Sequence, residues 1–195
     1  NRALENLELK KEKRILESKL FNSYDIVGES QTIIKIKTLI NKLATTESRV
    51  FITGPAGSGK ELVSRQIHKN SARSHKPFVV VNGALLDPQK YELELFGSEN
   101  DDGTINYGAF EKASGGILLI DEVSEIPLET QAKILRVLTD QKFKRINGSH
   151  DLIVNVRIIC TSSKDIRKEI NKGNFREDLY HRLNVVPIEL EPLKN

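Results

Sequence analysis

Two short stretches hold residues whose types and spacing could do chemistry. The first is GPAGSGKE, in which Gly54, Pro55, Ala56, Gly57, Ser58, Gly59, Lys60 and Glu61 fit the GxxxxGK pattern. Glycines let successive backbone amides turn toward phosphate oxygens, and the start of the following helix adds partial positive charge. Lys60 would reach the β and γ phosphates. The same run would also serve as a plain glycine turn ahead of an amphipathic helix. The flanks argue for phosphate, because apolar VFIT precedes the run and the helical pattern ELVSRQIHKN follows it. Glu61 stands where Ser or Thr would supply a hydroxyl to Mg2+, so its carboxylate must act through water or leave the metal to other ligands.

The second stretch is GGILLIDE, which delivers Asp121 and Glu122 to the end of a fully apolar run. Taken alone, such a pair could simply cap the helix starting near Pro127. Joined to a phosphate loop, Asp121 reads as the residue that holds Mg2+ through water, and Glu122 as the one that orients or polarises the attacking water. Asn82 closes FVVVN beside the place where Glu122 emerges if the two strands are neighbours. Its amide would hold the Glu122 carboxylate off the water, or it is a turn residue at a strand end. The four histidines, His68, His75, His150 and His181, show no metal-ligand spacing.

Elements able to position these residues follow from the pattern of apolar runs. RVFIT, FVVVN, GILLID and NVRIIC read as buried strands; ELVSRQIHKN, LETQAKILRVLTD and FREDLYHRLN read as helices. Before them, QTIIKIKTLINKLATT places Ile33, Ile36, Ile40 and Leu43 on one helical face. The alternation argues an α/β fold with a mostly parallel sheet. Residues 1–22 read as a linker helix, without Gly or Pro, whose partial leucine stripe fits either a dimerising coiled coil or a solvated helix. Residues 94–116, ELFGSENDDGTINYGAFEKASGG, are polar and glycine-rich and read as a long loop, of the kind that is usually either functional or a disordered spacer.

Composition narrows the classes. A chain of 195 residues with 38% hydrophobic content supports one domain around one core. A net charge of +3 from 30 basic and 27 acidic residues is too small and too spread to signal nucleic-acid binding by itself. The lone Cys160 rules out an internal disulfide, and no apolar run nears the roughly 18 residues of a membrane span. A cytoplasmic protein is expected, and a chain without methionine reads as a piece of something longer.

VFITGPAGSGKELVSRQIH, FVVVNGALL, ELFGSE, GGILLIDEVSEIP, QAKILRVL and GNFREDLYHRLNVVPIEL occur together in the order and spacing of one family. From about Ile26 onward the chain resembles the AAA+ central domain, the sigma-54 interaction domain, of NtrC-type bacterial response regulators. GKE in place of GKS or GKT is typical of that family. The resemblance implies a three-layer α/β/α fold on a five-stranded, mostly parallel sheet, spanning residues 23–195 and ending before a helical lid. It also implies ATP and Mg2+ as ligands and self-association, as a dimer through the linker helix or as a hexamer or heptamer ring. DNA would be bound by a C-terminal domain outside these residues, and RNA polymerase would be a further partner.

By motif, the resemblance gives Gly54 to Glu61 and Asp121 to nucleotide binding, together with Ile26 and Val27. It makes Glu122 the catalytic carboxylate and Asn82 its switch partner. Arg176 and Arg182, in FREDLYHR, match the arginines that reach a neighbour's γ-phosphate. Such arginines are worth about 10³-fold or more where measured. From residue types alone, both would pass as surface partners of Glu177 and Asp178.

The chain departs from the family twice within its motifs. The sigma-54 contact sequence GAFTGA is absent, and SENDDGTINY replaces it; Asp101, Asp102 and Gly103 suit an exposed turn without apolar anchors. In this the chain looks most like members of the NtrX branch. Ser163 stands where the family usually has Asn, which bears on sensing of the γ-phosphate, although a hydroxyl can still donate to a phosphate oxygen. The expected function is an ATP-binding and ATP-hydrolysing oligomerisation domain of a two-component transcription regulator that does not engage sigma-54. The alternatives are a conventional sigma-54 activator with a variant loop, a nucleotide-binding dimerisation module without catalysis and, more distantly, a small-molecule kinase.

Overall fold

The computed structural model describes residues 25–87 and 89–192, so the expected linker helix at 1–22 lies outside the described residues. Its centre is a parallel sheet of five strands: β1 (Val50–Thr53), β2 (Phe78–Asn82), β5 (Ile117–Asp121), β8 (Arg157–Ser162) and β9 (Val186–Glu189), in the order β2-β5-β8-β1-β9. Four of these come from the apolar runs that predict strands. The fifth comes from VPIE, where a proline hides the pattern. Pro187 is tolerated because β9 lies at the sheet edge and pairs with β1 alone.

Alternation along the strands sorts the core into two layers. Phe51, Leu118, Ile120, Ile158 and Cys160 face one side. There they meet α3 (Tyr91–Phe96), α4 (Ala109–Lys112), α5 (Leu128–Asp140), α6 (Ile166–Asn171) and α7 (Glu177–Leu183). Val50, Ile52, Ile117, Leu119 and Ile159 face the other side, against α1 (Gln31–Ala44) and α2 (Lys60–Lys69). This is the α/β/α arrangement expected, and burial on both faces explains the unbroken apolar runs in the middle of the central strands. Cys160 is buried, and burial pushes its thiol pKa up.

The expected long loop at 94–116 is instead built. After α3 comes a hairpin of β3 (Gly97–Glu99) and β4 (Ile105–Tyr107), then α4. The turn is closed by Asn100 N–H donating to Thr104 O (2.9 Å) and Thr104 N–H donating to Asp102 Oδ1 (2.8 Å). Gly103, at φ +81°, takes the left-handed position. Phe96, Phe110 and Phe143 pack at the base with centroids 5.6–5.8 Å apart; Phe143 comes from β6 (Lys142–Phe143), which pairs antiparallel with β7 (Leu152–Ile153). Ile146 adds a further rung through Glu99 N–H to Ile146 O and Ile146 N–H to Gly97 O, both 3.0 Å. Asp101, Asp102 and Gly103 are exposed at the tip, as the sequence predicts.

Among the described residues no helix is long and apolar enough to cross a membrane.

Candidate nucleotide site

The outgoing connections of the neighbouring strands β1 and β8 leave on opposite faces of the sheet, α2 on one side and α6 and α7 on the other. A crevice at the carboxyl edge beside such a reversal is where open α/β sheets bind ligands. Residues 54–61 run from β1 into α2 at this edge. Gly57 (φ +78°) and Gly59 (φ +88°) adopt backbone conformations that L side chains rarely hold, and a Cβ on either would meet open space. Glycine is therefore needed there for its backbone freedom.

Pro55 and Ala56 are exposed on the loop. Ser58 Oγ is buried and has no hydrogen-bond partner among the described residues. Lys60 is buried at the first turn of α2. Its Nζ donates to Gly54 O (3.0 Å) and Pro55 O (3.2 Å) and forms an ion pair with Glu122 Oε1 at 3.2 Å. An orphaned buried hydroxyl, a loop with two glycines at positive φ and an ammonium whose partners a phosphate can replace together fit a polyphosphate.

Asp121 and Glu122 stand at the end of β5, as predicted, but each is held separately. Asp121 Oδ1 accepts from Thr161 Oγ1 (2.5 Å), and Oδ2 accepts from Asn82 Nδ2 (2.8 Å). Glu122 Oε2 accepts from both Ser163 N–H (2.7 Å) and Ser163 Oγ (2.8 Å). This differs from the expected pairing of Asn82 with Glu122. The register sets Asn82 directly opposite Asp121, so the shorter reach is to the aspartate. Asn82 Oδ1 meanwhile accepts from Ala84 N–H (2.9 Å), which fixes the amide's orientation.

Two contributors were not anticipated from the sequence. Thr161, fully buried near the end of β8, donates to Asp121 and accepts from Glu122 N–H (3.0 Å). Its signal was a hydroxyl directly after the apolar residues 158–160 of β8. Tyr91 donates its hydroxyl to Gly83 O, holding the turn that follows Asn82.

A single carboxylate with phosphate oxygens and water is a common Mg2+ set, so Asp121 fits that ion. No cluster of three His, Cys, Asp or Glu side chains among the described residues could hold a metal alone. Glu61 Oε1 is taken by Arg65, through Nε at 2.8 Å and Nη2 at 2.7 Å, one turn along α2.

Arg176 and Arg182 are exposed, and among the described residues neither hydrogen-bonds the phosphate loop of its own chain. Arg176 forks onto Asp178 at 3.0 and 2.7 Å, which raises its own pKa and lowers that of Asp178. Arg182 Nη2 donates to Leu138 O at 3.3 Å, a carbonyl that also accepts from Arg49 at the same distance. Ile26 is half-buried and lines a hollow of about 380 Å³ with Asn41 and Gln66, between α1 and α2. Val27 is 87% exposed, so only Ile26 of this pair contributes a wall in the isolated chain.

The profile described as the sigma-54 interaction domain matches residues 26–189. The nitrogen assimilation regulatory protein NtrX of Azorhizobium caulinodans is 47% identical over 193 residues, which cover 98% of this chain and 42% of that protein. The DNA-binding transcriptional regulator NtrC of Proteus hauseri is 38% identical over 198 residues, covering 100% of this chain and 42% of that protein. The crystal structure of NtrX from Brucella abortus in complex with ATP superposes with a TM-score of 0.86 at 46% identity. That match covers 95% of this chain and 42% of that one. The chain thus spans less than half the length of the relatives it matches.

Proposed function

Because the chain belongs to the sigma-54 interaction domain family, we propose that it binds ATP with Mg2+ in the crevice between the phosphate loop and Asp121–Glu122, and hydrolyses it where copies of the chain meet. The Lys60–Glu122 ion pair carries this reading. It joins the phosphate loop to the acidic strand end across 3.2 Å, with the two side chains 7% and 14% exposed. A lysine and a carboxylate are held there, nearly dry, where an incoming phosphate would draw the lysine away and leave the carboxylate facing the γ position. The ATP complex of the Brucella relative supports nucleotide as the ligand.

Each residue then has a task. Backbone N–H groups within residues 56–60 and the Lys60 ammonium bind the phosphates, and Glu122 accepts a hydrogen bond from the attacking water. Asn82 and Thr161 hold Asp121 at the metal position. Mg2+ would neutralise charge on the β and γ oxygens. Arg176 and Arg182, exposed and, among the described residues, held by Asp178 and by a carbonyl, would exchange these partners for a neighbour's γ-phosphate.

In the whole protein, ring or dimer formation would tune DNA binding by a domain outside these residues. The β3–β4 hairpin offers Asp101, Asp102 and Gly103 at its tip, so this chain regulates transcription without docking sigma-54 through that tip. The test is Glu122→Gln in the full-length protein. ATP binding should persist while turnover falls at least about 100-fold; unchanged turnover would overturn the assignment.

A further inference from the structure

Gln131 lies on α5 with its side chain fully buried, close in sequence to the core residue Ile134. An amide in such a place is costly unless it is bonded, and here both of its ends are used. Nε2 donates to Ile126 O (2.7 Å) and to Asn174 O (3.0 Å), while Oε1 accepts from Arg176 N–H (2.8 Å). Two carbonyls beside the nitrogen and an N–H beside the oxygen leave one orientation of the amide.

The amide joins two connections with different duties. Ile126 follows the turn Val123–Glu125 that leaves Glu122, so it belongs to the chain's own nucleotide crevice. Asn174 and Arg176 lead into α7, whose N-cap is Arg176 and which has no side-chain cap. Up to Phe175 the backbone N–H groups of this connection are served by α6: Gly173 donates to Ile170 O, and Asn174 and Phe175 donate to Glu169 O. Arg176 N–H turns instead to Gln131. The Arg176 guanidinium forks onto Asp178 and has to leave it to meet a phosphate, so its backbone is the fixed point from which it swings.

We propose that Gln131 is the positioning residue for Arg176, a buried amide that fixes the backbone of the arginine a chain offers to its neighbour and ties it to the segment leaving that chain's own Glu122. The proposal rests on the interface ATPase reading and deepens it. A long side chain carries a shift at its base out to its tip, and about 1 Å of misplacement costs on the order of 100-fold in rate. Gln131→Met, similar in length but without donor or acceptor, should therefore lower kcat about 10- to 100-fold. Affinity for a fluorescent ATP analogue should stay at the wild-type value, because the chain's own phosphate loop is untouched.

A residue that merely stabilised the fold would also lower kcat, so the experiment is complementation between full-length variants. Lys60→Ala has a dead crevice and an intact arginine. Mixed with Gln131→Met, it should restore turnover toward about a quarter of wild type, the share of head-to-tail interfaces that then join an intact crevice to a well-placed arginine. Gln131→Met mixed with Arg176→Ala should stay as low as either alone, since both fail on the same side of the interface. Amide exchange at Arg176 should be faster in Gln131→Met, with the central sheet protected as in the wild type. Gln131→Glu serves if Gln131→Met does not fold: its buried carboxyl, held neutral, still accepts from Arg176 N–H and donates to one carbonyl, so it should keep more turnover.

The proposal is overturned if Gln131→Met keeps full kcat, if Lys60→Ala fails to restore it, or if Arg176→Ala restores it, which would place the defect in the chain's own crevice. The control is Arg176→Ala mixed with Lys60→Ala. If that pair stays inactive, the interface reading itself fails, and exchange at Arg176 alone decides whether Gln131 holds it.

Discussion

Glu122 is one of three non-glycine residues with positive φ among those described, and it is the one at the nucleotide crevice. Such backbone costs on the order of 1–3 kcal/mol and persists only where neighbours over-determine it. The neighbours here are Thr161 on its N–H, Ser163 on its carboxylate and Gly83, whose absent Cβ would lie 2.5 Å from Glu122 O. Gly83→Ala should therefore push the Glu122 carbonyl aside. We expect a loss of about 1–3 kcal/mol in chemical unfolding and a larger proportional loss in ATP turnover. A variant with normal stability and turnover would show that the turn yields freely. The phosphate loop, Asp121 and Glu122 were legible in the sequence because their residue types are rare in such contexts and fall at fixed offsets. Thr161 was not, since a threonine suits a strand on propensity alone and only the fold brings it beside an aspartate 40 positions away.

At the scale of elements, β1, β2, β5, β8 and the helices α1, α2, α5 and α7 were legible because each carries an apolar run or period that the sequence displays. The β3–β4 hairpin was not. Its strands are three residues each, and its stability comes from outside: the three phenylalanines at its base and Arg145 at its flank. Arg145 forks onto Glu111 at 2.9 and 2.6 Å and lies 5.5 Å from the Tyr107 ring centroid, joining α4 to β4. Arg145→Ala should cost about 1 kcal/mol and speed amide exchange at residues 97–107 while leaving the central sheet protected. Uniformly unchanged exchange would mean that the phenylalanines suffice. The hairpin's pairing with Ile146 was equally hidden, because it depends on contacts nearly 50 residues apart in sequence.

For the molecule as a whole, acid sensitivity is expected from His68. It is buried at 5% exposure, contacts the Phe78 ring and donates Nε2–H to Lys76 O at 3.0 Å. Burial holds its pKa below the ordinary 6.5. The unfolded chain then takes up a proton before the native state does, so this contribution is complete above about pH 6.5 and is lost as pH falls below it. The thermal midpoint should drop between pH 7.5 and 5.5, and drop less in His68→Gln; equal slopes would remove His68 as the cause.

The larger claim concerns more than one copy, because Arg176 and Arg182 are exposed and hydrogen-bond Asp178 and Leu138 O, not their own phosphate loop, among the described residues. Sequence could name these two arginines only through family resemblance, since exposure and an adjacent acid look the same for a surface ion pair. The most direct measurement is ATP turnover per molecule against protein concentration, for the full-length protein and Arg182→Ala. The account predicts turnover rising steeply with concentration and falling at least about 10³-fold in the variant. Turnover independent of concentration, or unaffected by loss of Arg182, would contradict an active site completed by a neighbour.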